Sequence, residues 1–194
     1  MMKRLVVCVV LGWLILTPAV TANDNHAAVD LLKSKIDAAV EVLQKNETDP
    51  QAKNKKILEI VSPIFDFPLM AKLALGRKYW PGLSEDKKEK YSVLFTDRLK
   101  VSYLDKLTLY TDEKIVYKIP VQDGRKIYIP TELISKGATI SMLYKMYKSK
   151  QGWKIYDIEV QGVSIISTYR SQFKEILSNG TIDDLLLKLE KNET

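Results

Sequence analysis

The sequence predicts an α+β fold in a single domain, with several N-terminal helices, an antiparallel sheet of about four strands, and two C-terminal helices. Three observations predict it. Apolar residues recur at helical spacing as far as about residue 109, and alternate in "KIVYKIPV" and the segments that follow it. From Val163 they return to helical spacing (Val163, Ile166, Tyr169, Phe173). Helices first, strands next and helices last is the α+β order. No internal repeat or low-complexity linker divides the chain.

Residues 1–22 stand apart from the domain. Lys3 and Arg4 precede the apolar run Leu5 to Leu16, and Val20-Thr21-Ala22 supplies the small residues of a cleavage site. That order reads as a secretory signal peptide, cut near Ala22-Asn23, and it implies a periplasmic protein with a domain over 23–194. The alternative is an uncleaved anchor, but the apolar run is short of the ~20 residues a spanning helix needs. Cys8, the only cysteine, lies inside that run. It lacks the small residues that precede a lipidated cysteine. The domain itself therefore has neither disulfides nor thiol chemistry and rests on its core.

Asn23 to Lys45 carries Val29, Leu32, Ile36, Ala39, Val40 and Leu43 on one helical stripe. "ETDPQ" interrupts it, with Pro50 at a first helical position, and Lys53 to Val61 resumes a helix that Ser62-Pro63 ends. In "FDFPLMAKLALG", Asp66 is placed to cap a third helix and Gly76 to close it. Ser84 is the N-cap of the longest helix, about residues 85–109, with Glu85 and Asp86 in the favourable first turn. Beyond Thr111, Ile115, Tyr117, Ile119 and Val121 alternate, and Asp123-Gly124 is a hairpin turn. "RKIYIP", "ATISMLYKMYKSK" and Trp153 to Val160 complete the strands, the last apolar on both faces. A helix from Val163 to Leu177 follows, then one capped by Thr181 with Asp184 three residues on.

The residues offer little chemistry. His26 is the only histidine and sits four residues past the cleavage site, a poor place for a general base. Ser164 lacks a nucleophile setting and has no histidine to activate it. Asp157 and Glu159 are two apart on a strand and share a face, but two carboxylates do not make a metal site; Asp157 suits a cation or a backbone donor better. No glycine-rich phosphate loop is present. The formal net charge of +6 is mild and its lysines are scattered, so a nucleic-acid partner is not expected. What remains is apolar surface in excess of one sheet face. It belongs either to more helix cover or to an internal apolar cavity, the usual form of a small-molecule site.

"WKIYDIEVQGVSIISTYRSQF" (residues 153–173) resembles the W-K-V-Y-D-(4)-G-V-S-(4)-Y-R-x-x-F signature of the MlaC-like, or toluene-tolerance, periplasmic phospholipid-binding proteins. "FDFPLMAKLALGRKYW" (residues 65–80) and the Y-L-D-K-L-x-x-Y run from Tyr103 to Tyr110 are similar to further elements of that family. The resemblance covers essentially the whole chain after residue 22. It implies a cystatin-like or nuclear-transport-factor-like cone in which helices and a curved sheet enclose an apolar tunnel for acyl chains. It implies no enzyme activity and no cofactor beyond the phospholipid cargo. The implied role is a monomeric carrier between an outer-membrane lipoprotein complex and an inner-membrane ABC transporter with an MCE-domain subunit. Members associated with hopanoids share much of the signature, so another apolar lipid stays open, as does an exported enzyme on the same fold.

On this reading the lipid-lining residues are Phe95, Leu99, Tyr103, Ile119, Ile129, Met142, Tyr144, Met146, Ile158, Val163 and Ile166. Asp157, Gly162, Tyr169, Arg170 and Phe173 hold the scaffold. Arg170 is expected to pair with Asp157 or Asp66.

Overall fold

Caps and prolines set the boundaries of the N-terminal half. Helix α1 (Ala22–Gln44) is followed by α2 (Pro50–Val61), whose cap Asp49 accepts from the Gln51 N–H at 2.9 Å. Pro50 fills the first turn of α2, where its missing N–H costs nothing. Ser62–Ile64 is a single 3₁₀ turn. Asp66 caps α3 (Phe67–Leu75) by accepting from Leu69 N at 2.9 Å, and Gly76 ends it at φ +83°, a left-handed conformation that favours glycine. Ser84 caps α4 (Glu85–Leu99), which runs into one π-type turn, Lys100–Leu104. The computed structural model describes residues 22–45, 49–104, 114–135 and 137–191, without the side chains of 22–25, 103, 104 and 135. The helix expected over 85–109 is thus seen to 104, and residues 105–113 lie outside the described set.

The sheet comprises β1 (Lys114–Tyr117), β2 (Val121–Asp123), β3 (Lys126–Ser135), β4 (Ala138–Ser149), β5 (Gly152–Val160) and β6 (Val163–Ser164). All described pairings within it are antiparallel, in the order β1-β3-β4-β5-β6, with β2 also on β3. The single strand expected over 114–121 is two strands. Pro120 and Pro130 bring no N–H to the ladder, and in the break between β1 and β2 Lys118 N donates to Pro130 O of β3 at 2.9 Å. Ile119, expected on the inner face, falls in this break and is 86% exposed.

β5 explains why its sequence reads as apolar on both faces. Met146 faces Ile155 while Lys145 faces Asp157, so Tyr156 is an extra residue, a β-bulge. Before it the odd positions Trp153 and Ile155 point to the core; after it the even positions Ile158 and Val160 do. One face is apolar, with its phase shifted. Gln161 (φ +50°) and Gly162 (φ +79°) then turn the chain tightly so that Val163 pairs with Val160. Helix α5 (Ile165–Asn179) therefore starts two residues later than its apolar spacing suggests. Helix α6 (Ile182–Glu190) opens with a capping box between Thr181 and Asp184.

Rings bind α4 to α5. Phe95 meets Tyr169 edge-on at 5.3 Å, and Tyr91 meets Phe173 edge-on at 6.0 Å. Such pairs add about 0.5–1.5 kcal/mol each beyond the area they bury. They sit in the main core with Ile127, Ile129, Met146 and Ile155, all fully buried. A second, small cluster of Ala39, Ile57 and Val61 lies between α1 and α2. Ala28 and Leu32 tie the first half of α1 to the main core, whereas its second half packs on α2, which leaves room between that part of the pair and the sheet.

Candidate functional site: an apolar cavity between helices and sheet

That room is a cavity of about 530 Å³. Its helical wall comes from α1 and α2, with Leu32, Ile36, Ala39, Val40, Leu43 and Val61. The apolar stripe of α1 that the sequence displays is the face turned inward. The sheet contributes Ile115, Leu133, Ile140, Met142 and Tyr144 from β1, β3 and β4, and Ile155, Ile158 and Val160 from β5. The β5 bulge is what lets Ile155 and Ile158 line the same space. Ile64, Phe65, Ile165 and Tyr169 close the remaining sides, and the polar groups are Arg98, Ser102, Thr168 and Gln172 from α4, its π-type turn and α5. Burial pushes the Tyr144 hydroxyl up to about 12, so it stays neutral in the wall. Such a space suits a flexible apolar chain with a polar end.

Met142, Tyr144 and Ile158 of the expected lining set are in this wall. Phe95, Leu99, Ile129, Met146 and Ile166 are packed in the core instead, where neighbouring side chains fill the space beside them. Ile119 and Val163 are corrected outright. The first sits in the break before Pro120, and the second, 61% exposed, lies on the two-residue strand β6, at the edge of the sheet among the described strands. The Tyr103 side chain lies outside the described residues. Sequence reasoning missed the α1–α2 wall, because an amphipathic stripe does not reveal whether it meets a core or a cavity.

The scaffold residues have definite contacts. Asp157, 5% exposed, accepts from Ser164 Oγ at 2.7 Å and from the Ile166 N–H at 3.2 Å, at the N-terminus of α5, where negative charge is favoured. Its cation is Lys145, at 3.2 Å, which also pairs with Glu159. Partial burial lowers the Lys145 pKa, but bonds to Glu159 and Asp157 outweigh it and the net shift is upward. Arg170 pairs with neither expected carboxylate. Its Nε donates to the Leu73 carbonyl at 2.8 Å, in the last turn of α3, and its stem lies beside Gly76. Asp66 accepts instead from the Tyr147 hydroxyl.

Comparison with known sequences decides the family. The MlaC protein family's profile matches residues 33–191. The chain belongs to the MlaC family. It is 24% identical over 191 residues to the intermembrane phospholipid transport system binding protein MlaC of Haemophilus influenzae, covering 95% of this chain and 89% of that protein. Its fold matches that of the phospholipid-binding protein from Ralstonia solanacearum, solved in complex with a phospholipid. The TM-score is 0.77 at 22% identity, over 86% of this chain and 96% of that one. Among the described residues, no cluster of three His, Cys, Asp or Glu could hold a metal, and no helix is long and apolar enough to cross a membrane.

Proposed function

We propose that this MlaC-family chain is a periplasmic phospholipid carrier, exported by a signal peptide over residues 1–22, and not an enzyme. It buries acyl chains in the cavity between α1–α2 and the sheet. It shuttles lipid between an outer-membrane lipoprotein complex and an inner-membrane MCE-domain ABC transporter, and so maintains outer-membrane lipid asymmetry. The observation that carries the reading is the 530 Å³ cavity, lined mostly by apolar side chains, whose polar groups besides tyrosine hydroxyls come from Arg98, Ser102, Thr168 and Gln172 of α4, its π-type turn and α5. The names of its two relatives, one a transport-system binding protein and one solved with a phospholipid, support the same cargo.

The energetics suit a carrier. An acyl chain of roughly 16 carbons gains about 0.8 kcal/mol per buried methylene, on the order of 10 kcal/mol in all. A bilayer offers that chain nearly the same. The protein has only to match the membrane, and exchange then runs close to equilibrium until a pump or a gradient sets its direction. Native mass spectrometry of protein purified without detergent tests the reading. Phospholipid bound in substoichiometric to stoichiometric amounts is the expected result, and a lipid-free protein that takes up none from vesicles overturns it.

A further inference from the structure

Positive charge gathers at one end of the sheet, on the face turned away from the core. Lys126 pairs with Tyr147 and Tyr147 with Lys154, so the three stand in one row across β3, β4 and β5. Their chain neighbours Ile127, Met146 and Ile155 are fully buried, and side chains alternate along a strand, so the row faces the other way. Arg125, before β3, and Lys150, in the turn after β4, lie at the same end because the two strands are antiparallel. None of these cations is matched to a carboxylate among the described residues. Arg125 donates to Lys148 O and Lys154 to Pro63 O, each at 2.6 Å, and Lys126 stands over the Tyr156 ring at 5.9 Å. Of the nearby carboxylates, Asp66 is engaged by Tyr147 and the Leu69 N–H, which leaves Asp123 at the end of β2. Elsewhere in the sheet the pattern differs: Lys145 and Lys118 are paired with Asp157, Glu159 and Glu132. Beside the row is a pocket of about 340 Å³, with Phe65 and Pro68 as its apolar lining and Ser149, Lys150, Gln151 and Lys154 among its polar groups.

We infer that this end of the sheet docks an acidic segment of a partner protein, with successive carboxylates on the cations and one side chain in the pocket. Lys126 and Lys154 are two strand spacings apart, about 10 Å, which is too wide for the oxygens of a single carboxylate or phosphate. A chain bearing several carboxylates spans that distance. A bilayer surface is flat and leaves the pocket empty, and a second copy of this chain brings the same positive excess, +6 overall. The rings fit a protein partner as well. Tyr147 and Tyr156 meet edge-on at 6.1 Å in the middle of the patch, and tyrosine and arginine are the side chains enriched where protein interfaces are most tightly packed. The docking does not depend on what the large cavity holds.

Amide NMR spectra of the purified protein titrated with hexaglutamate test it. Saturable shifts centred on residues 65–68 and 147–154 are expected, and added salt weakens them. Lys126→Glu combined with Lys150→Glu, both at exposed positions, is expected to lower the affinity about tenfold or more. Lys33→Glu combined with Lys174→Glu makes the same change in net charge at exposed positions on α1 and α5, and is expected to lower it less than about threefold. Absent shifts, or equal losses in the two pairs, overturn the docking site. Two further results would also overturn it: phosphatidylglycerol vesicles shifting these amides where hexaglutamate does not, which marks a membrane surface, and dimerisation of the protein through the same residues.

Discussion

Arg170 holds two helices together through a carbonyl rather than a carboxylate. The last carbonyls of α3 have no partner inside their own helix, and a cation on α5 meets one of them at Leu73. Arg170 is exposed, so its contribution is that of one surface hydrogen bond to a charged donor. Arg170→Ala is expected to cost about 1 kcal/mol, read as a melting temperature lower by about 3 °C, with lipid retention unchanged. A loss of several kcal/mol would instead point to the carboxylate partner that the signature suggests. The sequence marks Arg170 as its signature's cation but not its partner, because spacing along α5 says nothing about which part of α3 lies beside it. Asp157 was legible in part: the sequence assigns it a cation or a backbone donor and it has both, Lys145 and the Ile166 N–H, but the cation expected there was Arg170.

Helix α3 docks on the sheet through its own cap. Asp66 caps the helix with one oxygen and accepts from Tyr147 of β4 with the other, while its N–H bonds to Ile155 O of β5 at 2.9 Å. The bond to Asp66, with some burial, pushes the Tyr147 hydroxyl up to about 12. An unfolded tyrosine titrates near 10. Between pH 10 and 12 the folded chain keeps a proton that the unfolded chain has released, so stability is full below pH 10 and falls as pH rises through this window. Tyr144, raised to about 12 by burial, contributes with the same sign. Urea midpoints at pH 8, 10, 11 and 12 are expected to fall along the series, and less steeply in Tyr147→Phe. Equal slopes would remove Tyr147 from the account. At this scale caps and turns were legible, since Asp66, Gly76, Ser84, Thr181 and Gly124 act locally. The β5 bulge and the split between β1 and β2 were not, because each depends on the register of the neighbouring strand.

For the molecule as a whole, the sequence shows an excess of apolar residues but not whether they fill a core or wall a space. Ile129 and Met142 lie on neighbouring strands and look alike in the pattern. Ile129 is fully buried beneath the helices, while Met142 faces the gap left where the second half of α1 packs on α2. A charge distinguishes the two environments. At Ile129, Glu would bury an unpaired carboxylate among packed side chains and cost several kcal/mol, a large share of a domain's stability. At Met142 the carboxylate can draw water into a space that has no packed partner to disturb, so the fold persists while the acyl chain loses its dry wall. Val163→Glu, on the exposed edge strand, is expected to change neither property. Thermal melts and lipid extraction on the three variants should therefore give three outcomes: Ile129→Glu unfolded, Met142→Glu folded but empty, and Val163→Glu folded and loaded. If Met142→Glu melts as early as Ile129→Glu, the gap is an ordinary core and these walls do not hold the lipid.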